Sequence, residues 1–204
     1  KVHFEVFIMQ NINCWESKFQ ACQYSDQLIN LLIYLNTMIR IPVDIKIIQK
    51  ACFYARVYHG DQKRKSKEPY YSHPLIVAYL FALYVGNNKQ IYCTTELIVI
   101  AILHDTIEDT TLTYDMIVEI FGRRVEDGVK DLTRLSGEIK TTAVDTLNSL
   151  FAQYKFEILH VKIFDRLHNM QTIRYMSEKK QEKIIAETVS HFIPMASYLN
   201  LNDI

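Results

Sequence analysis

The amino-acid sequence predicts an all-α domain, and three observations carry that expectation. Apolar side chains recur at intervals of three and four in successive segments of the 204-residue chain, the period of a helix with one buried face. Glycine and proline number only five and four, few for a turn-rich β architecture. No segment shows the apolar–polar alternation of a half-buried strand.

The elements follow in chain order. Residues 1–24 carry no clear period. Over residues 26–40, Leu28, Leu31, Leu32, Leu35 and Ile39 define one helical face, with Asp26 as N-cap. Pro42 is placed to open a second helix reaching about residue 58, with Ile45, Ile48, Cys52 and Ala55 on one side. The polar, basic segment 59–72 reads as a loop. Ser72 caps a helix with His73 and Pro74 in its first turn, continuing to about Val85. Thr94 or Thr95 starts the next, which carries the apolar run 97–103 into His104-Asp105-Thr106-Ile107-Glu108-Asp109. Composition alone would suit a strand over 97–103; its length and helical neighbours favour a buried helix. Further helices are expected over 113–121, ended by Gly122, and over roughly 122–134, 139–153, 155–172 and 178–199. With no linker or repeat, residues 1–40 read as an N-terminal helical extension and 41–204 as one domain.

Composition narrows the function. A hydrophobic fraction of 49% supports a full core, and no apolar run reaches the roughly 18–20 residues of a membrane helix. Basic and acidic residues balance at 23 each, so the broad positive field of a nucleic-acid binder is absent and phosphate recognition must be local. Cys14, Cys22, Cys52 and Cys93 are far apart and form no CxxC pair, which suits free thiols in a reducing cytosol. Residues 2–9 are apolar but contain His3 and Glu5 and lack a small-residue cleavage pattern, so no signal peptide is expected and the location is read as cytoplasmic. Neither a nucleic acid nor a membrane is expected as partner, and the oligomeric state is not legible.

The chemistry concentrates in three separated segments. His73-Pro74 stands at a helix start. His104-Asp105 is followed by Glu108 and Asp109, each four residues after one member of the doublet. Lys162-Ile163-Phe164-Asp165-Arg166-Leu167-His168-Asn169-Met170 puts Asp165 and Asn169 on one helical face. Each has a plain alternative: a capping histidine, a solvated helix end, a surface ion pair. Their joint occurrence, with an ionisable doublet closing a buried run where charge is costly, favours a divalent-cation site. Such a site needs about three or four protein ligands and open positions for water and substrate.

Taken together, these segments resemble the HD superfamily of metal-dependent phosphohydrolases. More narrowly they are similar to the alarmone hydrolase domain of RelA/SpoT proteins and of the stand-alone small alarmone hydrolases. The matching stretches are Arg64 to Pro74, Ala101 to Thr110 and Val161 to Thr172, with a weaker match at Ala186-Glu187-Thr188 and Pro194-Met195-Ala196. HDxxED combined with DRLHNM is a specific pairing, and the resemblance spans roughly residues 45–200. It implies an HD-domain helical bundle and a single Mn²⁺ held by His73, His104, Asp105 and Asp165. It further implies removal of the 3′-pyrophosphate from guanosine tetra- or pentaphosphate, (p)ppGpp, with Glu108 and Asp109 as the acid–base pair acting on water. Arg64 and Lys65 then face the guanine base, and Asn169 and Thr172 become candidates for ribose or phosphate contacts. For His168, packing or support of a neighbouring site residue is as strong a reading as contact with the substrate.

The chain also departs from that pattern. Asp61 and Lys67 stand where the family usually has glycine, which predicts a different loop conformation. Residues 142–149 lack the acidic-Asn-x-Arg pattern expected there, and Tyr198 and Asn200 replace the usual Arg and Gly. No synthetase domain is expected within these residues. Two other readings stay open: an HD phosphohydrolase of another nucleotide, such as a deoxynucleotide or NADPH, and a degenerate alarmone-binding module without turnover. Glu108 and Asp109 count against the second; residues 142–149 count for it.

Overall fold

The computed structural model describes residues 14–87, 93–133, 135–136 and 139–201; residues 1–13, with the apolar stretch 2–9, lie outside the described residues. The fold is helical, and its centre is one short helix whose last seven residues are all apolar. We label the elements α1 (Trp15–Lys18), α2 (Gln23–Leu35), α3 (Ile45–His59), α4 (Ser72–Asn87), α5 (Thr95–Leu103), α6 (Thr106–Asp109), α7 (Tyr114–Phe121) and α8 (Arg123–Leu132). A two-residue antiparallel pair follows, β1 (Leu135–Ser136) with β2 (Ile139–Lys140). Then come α9 (Ala143–Ala152), α10 (Phe156–Gln171), α11 (Glu178–Glu187) and α12 (Ile193–Tyr198).

All seven residues from Leu97 to Leu103 are buried, because α5 is packed on by α3, α4, α8 and α10. Gly128 lets α8 lie directly on it, since a Cβ there would overlap Cδ1 of Ile100. Leu28, Leu32 and Leu35 of α2 share this core with Phe81 and Val85 of α4. A continuous apolar run is thus a helix enclosed on all sides.

Several expected boundaries move, each for a local reason. The first long helix is capped at Cys22, and Asp26 sits in its first turn, where a carboxylate suits the positive end of the helix dipole. Pro42 does not open α3. The Asn36 side chain accepts from Val43 N and donates to Val43 O, both at 2.8 Å, holding the chain extended until Asp44 caps the helix through Ile47 N. The helix expected over 139–153 begins only at Ala143, where Thr142 and Asp145 form a reciprocal capping box and the β pair precedes it. The helix expected over 178–199 is interrupted by a π-helical turn, Thr188–Phe192. Pro194 has no N–H for the next rung and its ring would crowd the carbonyl four residues back, so the chain widens before α12 resumes.

Candidate active site

His104 and Asp105 do not continue α5, as the spacing argument assumed; the helix stops on them. His104 Nδ1 lies 2.8 Å from Ala101 O and Thr106 Oγ1 donates to Leu103 O at 2.6 Å. These side chains take carbonyls that a continuing helix would bond through its backbone, so the chain turns and restarts as α6. Since a carbonyl only accepts, His104 Nδ1 must carry a proton, and Nε2 points into the site.

Three elements bring the predicted ligands together there. His73 comes from the first turn of α4, fixed by the bond from its N–H to Tyr70 O, and Asp165 comes from the middle of α10. One ligand atom each of His73, His104 and Asp165 lies within 4.8 Å of the others. Asp105 joins them, its carboxylate oxygens 3.1 Å from His104 Nε2 and 3.4 Å from His73 Nε2. His73 Nε2 is 3.2 Å from Asp165 Oδ1.

Electrostatics tie these groups to one another. Burial would push both carboxyls up, but His104 beside Asp105, and Lys162 and His104 beside Asp165, hold both well below the usual range. Burial would lower His104, yet the two carboxylates raise it to about 10. Asp165 is further fixed by Lys162 Nζ at 3.0 Å and by Asn169 Nδ2, which donates to Oδ1 at 2.7 Å. His104 Nε2 is buried with no hydrogen-bond partner, its contacts to Asp105 and Asp165 at 3.1 and 3.8 Å being misaligned for one. Two carboxylates and two imidazole nitrogens thus converge on one point, where a proton on His104 offsets the negative charge and a divalent cation could take that proton's place. A divalent cation fits this set, meeting four donors of the right hardness.

The ligand cluster opens into a cavity of about 630 Å³ lined by Lys63, Arg64, Lys65, Lys162, Lys180 and Lys183 among others. Arg64 Nη2 donates to Asn169 Oδ1 at 3.3 Å and to Thr172 Oγ1 at 3.5 Å, so the predicted substrate residues Arg64, Asn169 and Thr172 are brought together, with Lys65 lining the same space. Glu108 is half-buried and Asp109 exposed on α6, and neither lines this cavity. Asp109 is linked to it by Tyr70, whose hydroxyl donates to Oδ2 at 2.6 Å; Gln62 Nε2 donates to Asp109 O at 2.7 Å. Burial, with Asp105 and Asp109 close by, pushes the Tyr70 phenol far above its usual range, so it stays a donor.

Sequence reasoning missed Tyr70, Gln62, Lys162, Lys180 and Lys183. The placement of Lys162 three residues before Asp165 on a helix was an available signal. The pair Lys180 and Lys183, at the same spacing, was another. His168 is buried, with Nδ1 2.6 Å from His73 Nδ1, and burial together with His73 and Arg64 lowers it to about 3.

In the loop that carries Asp61 and Lys67, Gly60 has φ +49° and Lys67 itself adopts +71°, the left-handed region that favours glycine. Asn200 likewise sits at +59°.

The HD domain family profile matches residues 51–201. Among curated proteins, the GTP pyrophosphokinase rsh of Brucella ovis is 36% identical over 167 residues, covering 79% of this chain and 21% of the relative. The guanosine-3′,5′-bis(diphosphate) 3′-pyrophosphohydrolase of Aquifex aeolicus is 37% identical over 164 residues, 78% of this chain and 22% of the relative. The probable chloroplastic GTP diphosphokinase RSH2 of Arabidopsis thaliana is 34% identical over 164 residues, 75% and 22% respectively. The chain thus spans only 21–22% of the length of these relatives.

Proposed function

This chain belongs to the HD-domain family, and we propose that it is a divalent-metal-dependent (p)ppGpp 3′-pyrophosphohydrolase, producing GDP or GTP and pyrophosphate. The observation that carries the proposal is the convergence of His73, His104, Asp105 and Asp165 beside a cavity lined by basic side chains. These four residues would hold the cation, which we take to be Mn²⁺. When bound, it would supply Lewis-acid polarisation of a phosphoryl oxygen and activation of a water molecule.

The remaining roles fall to the protein. Lys162, Lys180 and Lys183 offset phosphate charge in the cavity. Arg64, held by Asn169 and Thr172, offers its guanidinium plane to the guanine base, with Lys65 alongside. Glu108 orients or deprotonates the attacking water. Asp109, fixed through Tyr70 at the cavity edge, assists the leaving pyrophosphate. Four free thiols, two of them buried, support a cytoplasmic location. Among the described residues, no helix is long and apolar enough to cross a membrane.

Incubation with Mn²⁺ and a panel of nucleotides, with product identification, tests the proposal. Pyrophosphate release from ppGpp, abolished by Asp105→Ala and by Glu108→Ala, is the expected result. Tight ppGpp binding without pyrophosphate would overturn it in favour of a binding module. Selective turnover of a deoxynucleotide or NADPH would reassign the substrate.

A further inference from the structure

We infer that His168 is a positioning residue that fixes the proton and ring orientation of His73 through a hydrogen bond between their Nδ1 atoms. The inference rests on the cation site proposed above.

The two Nδ1 atoms are 2.6 Å apart, and the rings lie nearly parallel, 24° between planes with centroids 4.9 Å apart. Both residues are buried, at 2% and 5% exposure, so water does not compete for this contact. At that distance one nitrogen donates and the other accepts; two lone pairs or two N–H groups would repel. The other ring nitrogen decides the direction. His73 Nε2 faces Asp105 and Asp165 and must present a lone pair to a cation there. A neutral His73 then carries its proton on Nδ1 and donates it, and His168 Nδ1 accepts, leaving the His168 proton on Nε2. The opposite tautomer of His73 would turn an N–H towards the cation.

His104 solves the same problem with the backbone, donating from Nδ1 to Ala101 O. His73 has no such carbonyl. It stands in the first turn of a helix, and its ring points away to α10. The acceptor therefore comes from a side chain, and from the helix that also supplies Asp165, one turn earlier. A single element sets a ligand and the orienting partner of another. Partners of this kind typically contribute about 10–100-fold in metal affinity.

A purely packing role for His168 makes a different prediction, which substitutions separate. His168→Phe keeps a flat ring of similar size and removes the acceptor; His168→Gln keeps an acceptor oxygen without the ring. We expect the Phe variant to lose about 10–100-fold in Mn²⁺ affinity by calorimetry, with the melting temperature of the cation-free protein little changed, and the Gln variant to recover part of the loss. Long-range ¹H–¹⁵N spectra of wild type with Zn²⁺ bound should place the His73 proton on Nδ1; if the Phe variant does not fold, this spectrum decides. Phe affinity within twofold of wild type, or a His73 proton on Nε2, overturns the inference. Wild-type protein that binds no divalent cation removes the cation site itself, and the inference with it.

Discussion

Two buried helices divide the work of this molecule, and they are built on opposite rules. In α5 the seven residues from Leu97 to Leu103 are buried and apolar, and its only polar side chains, Thr95 and Glu96, stand in the first turn. In α10, His160, Lys162, Asp165, Arg166 and His168 are buried beside Ile158, Leu159, Val161, Ile163 and Phe164. Burying an apolar surface is favourable almost regardless of orientation, so α5 serves as a fixed post around which α3, α4, α8 and α10 pack. Burying a charge is costly unless it is paired, so the buried charges on α10 have partners, Lys162 with Asp165 and Arg166 with Glu187 at 3.0 Å, and His168 bonds His73. One helix locates the site; the other supplies Asp165 and the polar groups around it.

Substitutions on the two helices should therefore fail differently. The largest effect is expected for Asp165→Ala, which removes a proposed cation ligand and strands the buried Lys162. Loss of one partner of such a pair costs about 3–5 kcal/mol, read by denaturant unfolding of the cation-free protein, and Mn²⁺ binding should disappear with it. On α5, Ile98→Ala should cost about 2–5 kcal/mol by cavity formation, yet leave Mn²⁺ affinity of the folded fraction unchanged in the same titration. Equal loss of cation affinity in both variants would dissolve the distinction between the two helices. Further out, Arg64→Ala removes a charged donor that bonds α10 from the loop. Steady-state kinetics on ppGpp should show KM raised by about ten- to a hundredfold, matching the roughly 1.5–3 kcal/mol of a charged hydrogen bond, with kcat largely kept. The smallest expected effect is on the backbone of that same loop. Lys67→Gly should relieve the left-handed backbone strain and stabilise the protein by about 1 kcal/mol, seen as a higher melting temperature.

The same contrast explains what could be read from the chain alone. The burial of α5 was legible from an uninterrupted apolar run, and the His73, His104, Asp105 and Asp165 set from the spacing of three short segments. The stop at His104 was not, because it arises from His104 and Thr106 bonding Ala101 and Leu103, with no glycine or proline to announce it. Strands of two residues are too short for alternation to register, so β2 passed as the start of a helix and β1 fell in the gap before it. Pro194 did announce the break near α12, and the expectation of one helix over 178–199 gave it too little weight. Tyr70 and Gln62 reach Asp109 across 39 and 47 residues, a relation that local pattern does not encode.

That last tie makes the loop over residues 60–71 a rigid yoke rather than a passive rim. His59 donates to Gln62 at 3.0 Å and stacks on Tyr70, and Gln62 and Tyr70 both grip Asp109, while Arg64 in the same loop reaches across to α10. A molecule that displaces Arg64 would pull on the stretch of chain that holds Asp109. Under the roles proposed above, recognition at one end of the cavity and proton handling at the other would be geared together, so that a poorly seated nucleotide would leave the acid out of alignment.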